Sequence, residues 1–247
     1  MVRSLLFSIR FLTILPLGQQ QRVEGRHLGA ATRYFPLAGL LIGIIVALAA
    51  ALFGWLMAGV AANGLAVAVW VVITGALHLD GLADTVDGFY AGRQPDEVLA
   101  IMRDPHIGLM GVVAIVLTLL LKFAGVVSLP ESGRLLPLVV LPVAGRWSMV
   151  LLLGGATYVR PQGVGRDLAD EMNAADVRVA AVITLVLSLL CLGWKLGIVF
   201  FVLVWAFTWV LQLFLVRRIG GITGDCCGAA GELVELFGLF LILLART

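Results

Sequence analysis

The run His78-Leu79-Asp80-Gly81-Leu82-Ala83-Asp84-Thr85-Val86-Asp87-Gly88 places three aspartates at the end of a long apolar stretch, in a chain of 247 residues with only 15 acidic side chains. Carboxylates are costly in apolar surroundings unless they are paired or ligate a cation. A helix continuing through this segment puts Asp80, Asp84 and Asp87 at i, i+4 and i+7, within an arc of about 60° at roughly 3.6 residues per turn. Converging oxygen ligands of this kind suit a hard divalent cation such as Mg²⁺. The spacing also fits a solvated helix extension with ordinary capping carboxylates.

The polar stretch 80–107 continues with Arg93, Arg103 and Asp104, then Pro105-His106-Ile107-Gly108, where Pro105 and Gly108 interrupt one helix before the next begins. Phosphoryl chemistry needs this mixture. A cation on carboxylate oxygens neutralises phosphate charge, while guanidinium groups hold the remaining oxygens in bidentate fashion. Gly81, Gly88, Ala91 and Gly92 would keep the surrounding surface low enough for a bulky substrate. Asp225 reads as part of a flexible glycine-rich loop, 220–228, that runs into Glu232 and Glu235. These two glutamates share a helical face, and either complete a second cation position or hydroxyl site, or favour the start of the last helix through its dipole.

Arg146, in Gly145-Arg146-Trp147, is expected to reach a phosphate from about two turns inside its apolar span, and Lys122 either to face a polar cavity or a partner or to snorkel to the far interface. None of His27, His78 and His106 is expected to ligate a metal. His78 is expected to be oriented against Asp80 or a phosphate, and His27 to lie at the surface. The loop 155–177, with Arg160, Arg166, Asp167 and Asn173, would shape a substrate mouth, although its charges have no distinctive spacing.

The elements that carry these residues follow from composition. The chain is 61% hydrophobic and 13% charged, with a mean hydropathy of +1.08, which excludes a soluble globular domain and indicates an integral membrane protein. A span needs about 20 mainly apolar residues. Segments near that length are roughly 36–58, 64–79, 108–128, 135–154, 178–193 and 196–216, with a shorter one at 232–245. The expected fold is therefore all-α, a polytopic helical bundle of about six to seven transmembrane helices. Residues 1–16, with Arg3 and Arg10 among Leu, Phe and Ile, read as an N-terminal interfacial helix and as a poor signal peptide. Residues 1–247 read as one membrane domain, with short outer connections at 61–63, 130–134 and 193–195.

Charge is distributed unevenly along this frame. Arg3, Arg10, Arg22, Arg26, Arg33, Arg93, Arg103, Arg160, Arg166, Arg178, Arg217 and Arg218 fall on one side, and Arg134, Lys195 and Arg246 on the other. The positive-inside rule makes the first side cytoplasmic, and every acidic residue except Glu131 lies on or at the edge of it. Cys191, Cys226 and Cys227 offer neither a disulfide framework nor metal-ligand spacing. The net charge of +2 is close to balanced, and no nucleic-acid partner is expected.

The segment 78–88, followed by Ile101-Met102-Arg103-Asp104-Pro105-His106-Ile107-Gly108, resembles the signature of the cobalamin synthase (adenosylcobinamide-GDP ribazoletransferase) family. The resemblance extends to Phe11-Leu12-Thr13-Ile14-Leu15-Pro16, Arg33-Tyr34-Phe35-Pro36-Leu37-Ala38-Gly39, Gly145-Arg146-Trp147, Gly221-Ile222-Thr223-Gly224-Asp225, Gly228-Ala229 and Glu232. His106 stands where that pattern often has an arginine. The resemblance implies a bacterial inner-membrane enzyme using Mg²⁺, in which a ribose hydroxyl of α-ribazole or its 5′-phosphate attacks adenosylcobinamide-GDP and expels GMP. On that basis Asp80, Asp84 and Asp87 would hold the metal. Arg93, Arg103 or Arg146 would clamp phosphate, with His78 and Glu232 at the substrate, and Asp104 or Asp225 would accept the hydroxyl proton. Self-association, or association with other enzymes of cobalamin synthesis, is left open.

Two other readings compete. Asp84-Thr85-Val86-Asp87-Gly88-Phe89-Tyr90-Ala91 approaches the CDP-alcohol phosphotransferase pattern, but Gly92 intervenes before Arg93 and the downstream aspartate pair is missing at its usual spacing. A transporter would place its ionisable groups near the bilayer midplane, whereas these carboxylates gather at one face.

Overall fold

In a bilayer every backbone N–H and C=O must find its partner within the protein, so long apolar runs resolve as helices. The computed structural model describes residues 2–17, 25–57 and 59–245, and Arg22 and Arg246 lie outside the described residues. Among the described residues the helices are α1 (Val2–Leu12), α2 (Arg26–Gly29), α3 (Phe35–Leu56), α4 (Val60–Ile73), α5 (Leu77–Ala91), α6 (Pro95–Ile101), α7 (Leu109–Ser128), α8 (Leu135–Gly155), α9 (Val164–Glu171), α10 (Ala174–Ile219) and α11 (Gly224–Leu244). The sole strand-like pairing among them is an isolated bridge between Tyr158 and Ile222. The expected all-α membrane bundle is what forms.

Among the described residues, five helical stretches are long and apolar enough to cross a membrane. One of them, α10, has 46 residues and leaves the helical conformation at Gly193 (φ 77°, ψ 170°). A straight helix of that length would run about 69 Å, twice the hydrocarbon thickness. Instead it doubles back: a Cβ on Gly197 would lie 2.7 Å from the Ser188 carbonyl oxygen. Two spans are therefore joined at Gly193, where the sequence places a short outer connection.

The expected span at 64–79 is corrected. Helix α4 stops at Ile73, Gly75 (φ 60°) and Ala76 (φ 55°) both turn left-handed, and α5 leaves at 83° to α4. The carboxylates thus stand on a separate helix. The last helix is also longer than the expected 232–245, starting at Gly224.

Helix α8 is the central element, packed against α3, α10 and α11. Gly39 and Gly43 of α3 let the two backbones touch, since a Cβ at either would collide with the main chain of Pro142 or Val139. Helix α1 lies against α3 and is pinned by two buried hydroxyls: Ser4 Oγ donates to the His27 carbonyl at 2.9 Å and Ser8 Oγ to the Ala31 carbonyl at 2.7 Å. Arg26 and Arg33 pair with the buried Asp176 at the start of α10. Asp176 also completes a capping box with Asn173. The polar segments thus assemble at one end of the bundle. At the other end Arg134 donates to Asn63 Oδ1 at 3.2 Å.

Candidate active site

Helix α5 is held against the start of α11 by two glycines. A Cβ on Gly81 would sit 2.8 Å from the Asp225 carbonyl oxygen, and one on Gly228 would sit 3.2 Å from the His78 Cα. Contact this close sets Asp80 and Asp84 of α5 beside Asp225. Asp225 is not a loop residue as the sequence reading has it: Thr223 caps the helix, accepting from the Cys226 N–H at 3.2 Å, and Asp225 occupies the first turn. There the helix dipole favours its negative charge.

Asp84 stands among the charges of Asp225, Asp80, Arg160 and Asp87. Arg160, which sequence spacing did not single out, bridges the cluster: its Nη2 lies 2.6 Å from Asp225 Oδ2 and donates to the Met102 carbonyl at 3.1 Å. The bridge between 157–159 and Ile222 brings it there, with Val159 N–H donating to the Ile222 carbonyl and Ile222 N–H to the Thr157 carbonyl, each at 2.9 Å. The adjacent Tyr158 hydroxyl accepts from the Gly224 N–H. Burial pushes its pKa up to about 12, and the neighbouring Cys227 adds to the shift.

Asp87 takes a different position from its two partners. Its Oδ2 accepts from the Gly108 N–H at 2.7 Å and its Oδ1 from the Gly111 N–H at 2.8 Å, so it caps the start of α7. No protein donor among the described residues engages Asp80 or Asp84. Carboxylate oxygens that face solvent and have no protein donor have the chemistry a hard cation requires. No three His, Cys, Asp or Glu side chains among the described residues already converge as a metal cluster. The glycines expected to leave room for substrate are covered instead: Gly81 by Asp225, Gly88 by Met102 and Val98, and Gly92 by Val98.

The remaining candidates divide into two groups. Arg93, Arg103 and Asp104 are exposed on the 92–108 segment. Asp104 is held below the usual carboxylate range by the backbone N–H and ring of His106, at 2.9 and 2.7 Å. Arg146, Glu232 and His78 lie in the interior. Arg146 pairs with Glu235 through Nη1 and lies 3.1 Å from His78 Nδ1 through Nη2. Lys122 does not snorkel to the far interface: its Nζ binds Glu232 at 2.8 Å and Glu235 at 2.6 Å, and sits 4.4 Å from the Trp70 ring centre. Two cations and two anions thus neutralise one another inside the bundle, and both glutamates lie beyond the first turn of α11 rather than capping it.

A cavity of about 160 Å³ opens beside the carboxylates. His78, Asp80 and Asp225 form its polar wall, while Phe11, Phe35 and Leu168 belong to the apolar part. The interfacial helix therefore contributes to the site directly.

The profile of the cobalamin-5-phosphate synthase family matches residues 4–243. The adenosylcobinamide-GDP ribazoletransferase of Desulforamulus reducens is 38% identical over 254 residues, covering 100% of this chain and 98% of its own. That of Pseudomonas savastanoi pv. phaseolicola is 38% identical, covering 96% and 97%, and that of Pseudomonas putida GB-1 is 39% identical, covering 94% of each. No solved structure matches. A whole-length match of this kind, together with the multi-pass helical bundle and its aspartate-bearing helix, establishes that the chain belongs to the cobalamin-5-phosphate synthase family of membrane transferases.

Proposed function

We propose that this transferase joins α-ribazole, or its 5′-phosphate, to adenosylcobinamide-GDP with release of GMP. The observation that carries the reading is the gathering of Asp80, Asp84, Asp225 and Arg160 at the mouth of a cavity at the polar end of the bundle. That end carries most of the arginines, which supports a site on the cytoplasmic side of a bacterial inner membrane. A ribose hydroxyl of the acceptor attacks the corrinoid-linked phosphorus. The new P–O bond forms as the bond to GMP breaks, and the hydroxyl proton passes to a carboxylate.

Asp225 is the better placed base, because it borders both the cavity and the aspartate cluster. Asp104 is exposed and engaged with His106, which lowers its basicity. Asp80 and Asp84 would hold Mg²⁺, with Asp87 oriented toward α7 behind them. Bound there, the ion would offset the negative charge of the diphosphate. Arg160 steadies Asp225, and the exposed Arg93 and Arg103 offer guanidinium groups to phosphate oxygens from outside.

The test is product formation by the purified, detergent-solubilised protein given adenosylcobinamide-GDP and α-ribazole, with Mg²⁺ or with EDTA. Corrinoid product and GMP are expected with the metal alone, and Asp84→Asn is expected to abolish transfer while leaving the fold intact. Full activity in that variant removes the metal proposal. Transfer from a CDP-alcohol, absent with adenosylcobinamide-GDP, overturns the reaction.

A further inference from the structure

The buried ion network behind the cavity is larger than a structural pair requires, and it ends on a residue that lines the site. Lys122 from α7, Arg146 from α8, and Glu232 and Glu235 from α11 are each no more than 4% exposed. The chain of contacts runs from Lys122 to Glu235, from Glu235 to Arg146, and from Arg146 Nη2 to His78 Nδ1.

A guanidinium carries five N–H donors and no acceptor. Arg146 therefore donates, and His78 Nδ1 must present a lone pair. Arg146 has little freedom to turn away, since its Nη1 is held by Glu235, whose second oxygen is held by Lys122. The ring proton is thus confined to Nε2. From this geometry we propose that His78 serves the acceptor-binding cavity as a hydrogen-bond donor through Nε2–H, that Arg146, Glu235 and Lys122 are its positioning residues, and that His78 is not the base.

The cavity wall then offers one N–H donor, from His78, beside two carboxylates, Asp80 and Asp225, and no lysine or arginine among the described residues lines it, Arg160 reaching Asp225 from outside the wall. A phosphate held in it without a cation on Asp80 would face that carboxylate uncompensated, and Arg160 is already committed to Asp225. A sugar hydroxyl fits better, because it can donate to a carboxylate and accept from His78 at once. The apolar walls, including Phe11 and Phe35, suit the flat base of the same nucleoside. The assignment rests on the transferase reading and narrows it: the cavity takes the acceptor nucleoside, and the nucleotide-activated donor stays outside.

Nitrogen-15 NMR of the full chain, labelled at histidine and held in detergent micelles, tests the tautomer without reference to activity. His78→Gln assigns the signals. The expected pattern is a pyrrole-type Nε2 and a pyridine-type Nδ1, with Nε2 responding when α-ribazole is added. An imidazolium, or a proton on Nδ1, overturns the proposal. The charge-balanced double variant Arg146→Met with Glu235→Gln is expected to stay folded and to lose the single tautomer; if it keeps the tautomer, the positioning role is wrong.

In steady-state kinetics His78→Gln, which keeps an N–H near the Nε2 position, is expected to hold the acceptor KM within a few-fold. His78→Ala is expected to raise it on the order of 10- to 100-fold, with the donor KM unchanged. A rise confined to the donor KM overturns the occupant. A wild-type protein that is inactive toward both substrates overturns the reaction class and leaves the tautomer result to stand or fall on its own spectrum.

Discussion

Replacing Lys122 by Met removes one of two cations from a cluster of four buried charges. Its ammonium lies 2.8 Å from Glu232 and 2.6 Å from Glu235 and is 2% exposed, so no water shell takes over its role. The variant leaves two glutamates facing Arg146 alone. Breaking a buried pair in this way costs about 3–5 kcal/mol. On the globular-protein scale of roughly 2–4 °C per kcal/mol for a chain of this size, the melting temperature falls by about 6–20 °C.

Adding Glu232→Gln restores the balance of one arginine against one glutamate. It is expected to recover about 2 kcal/mol of coupling, so that the double variant melts above Lys122→Met. The buried Cys226 and Cys227 supply the assay, because a thiol-reactive fluorogenic dye reaches them only as the bundle opens; the half-buried Cys191 is first replaced by Ala. If Lys122→Met melts within about 2 °C of the parent, or if the second substitution lowers stability further, the neutralised-cluster argument is wrong.

Asp87→Ala removes both acceptors at the start of α7 and is expected to lower stability by about 1–2 kcal/mol in the same melt. An unchanged melting temperature would contradict the capping assignment. Gly81→Ala places a methyl group 2.8 Å from the Asp225 carbonyl oxygen, where backbone cannot yield without separating α5 from α11. The expected cost is about 1–3 kcal/mol, together with a loss of transfer activity as Asp225 moves from Asp80 and Asp84; wild-type activity would show that the crossing does not set the site. Tyr158, raised from an ordinary value of 10 to about 12, keeps its proton in the folded protein while the unfolded chain ionises. Its contribution to stability is full below pH 10 and is lost as pH rises toward about 12. Alkaline absorbance titration of the parent minus Tyr158→Phe should show a transition near the upper value, and one at 10 would place the hydroxyl in solvent.

Composition and apolar run length determined that the chain is a helical membrane bundle, because backbone pairing within a span and the bilayer's thickness are local requirements that a window of residues satisfies or fails by itself. The hairpin at Gly193 was legible for the same reason. The signature segments pointed to the family before any contact was known, and they offered Asp80, Asp84 and Asp225 as candidates for its site. The equal numbers of Lys122 and Arg146 against Glu232 and Glu235 were a further signal, since buried charges must balance, but spacing along the chain did not reveal which would meet.

The tertiary structure alone decided the partners. The contacts of Arg146 with His78 and of Lys122 with Glu235 join residues 68 and 113 positions apart, and Arg160 reaches Asp225 through a loop bridge that carries no periodic pattern. Helical periodicity put Asp87 on the face shared by Asp80 and Asp84, yet the N-terminus of α7 claims its oxygens. Periodicity describes the geometry of one helix. Which unsatisfied donor or opposite charge a side chain meets depends on how the helices cross, and here the crossings are set by a few glycines where two backbones touch.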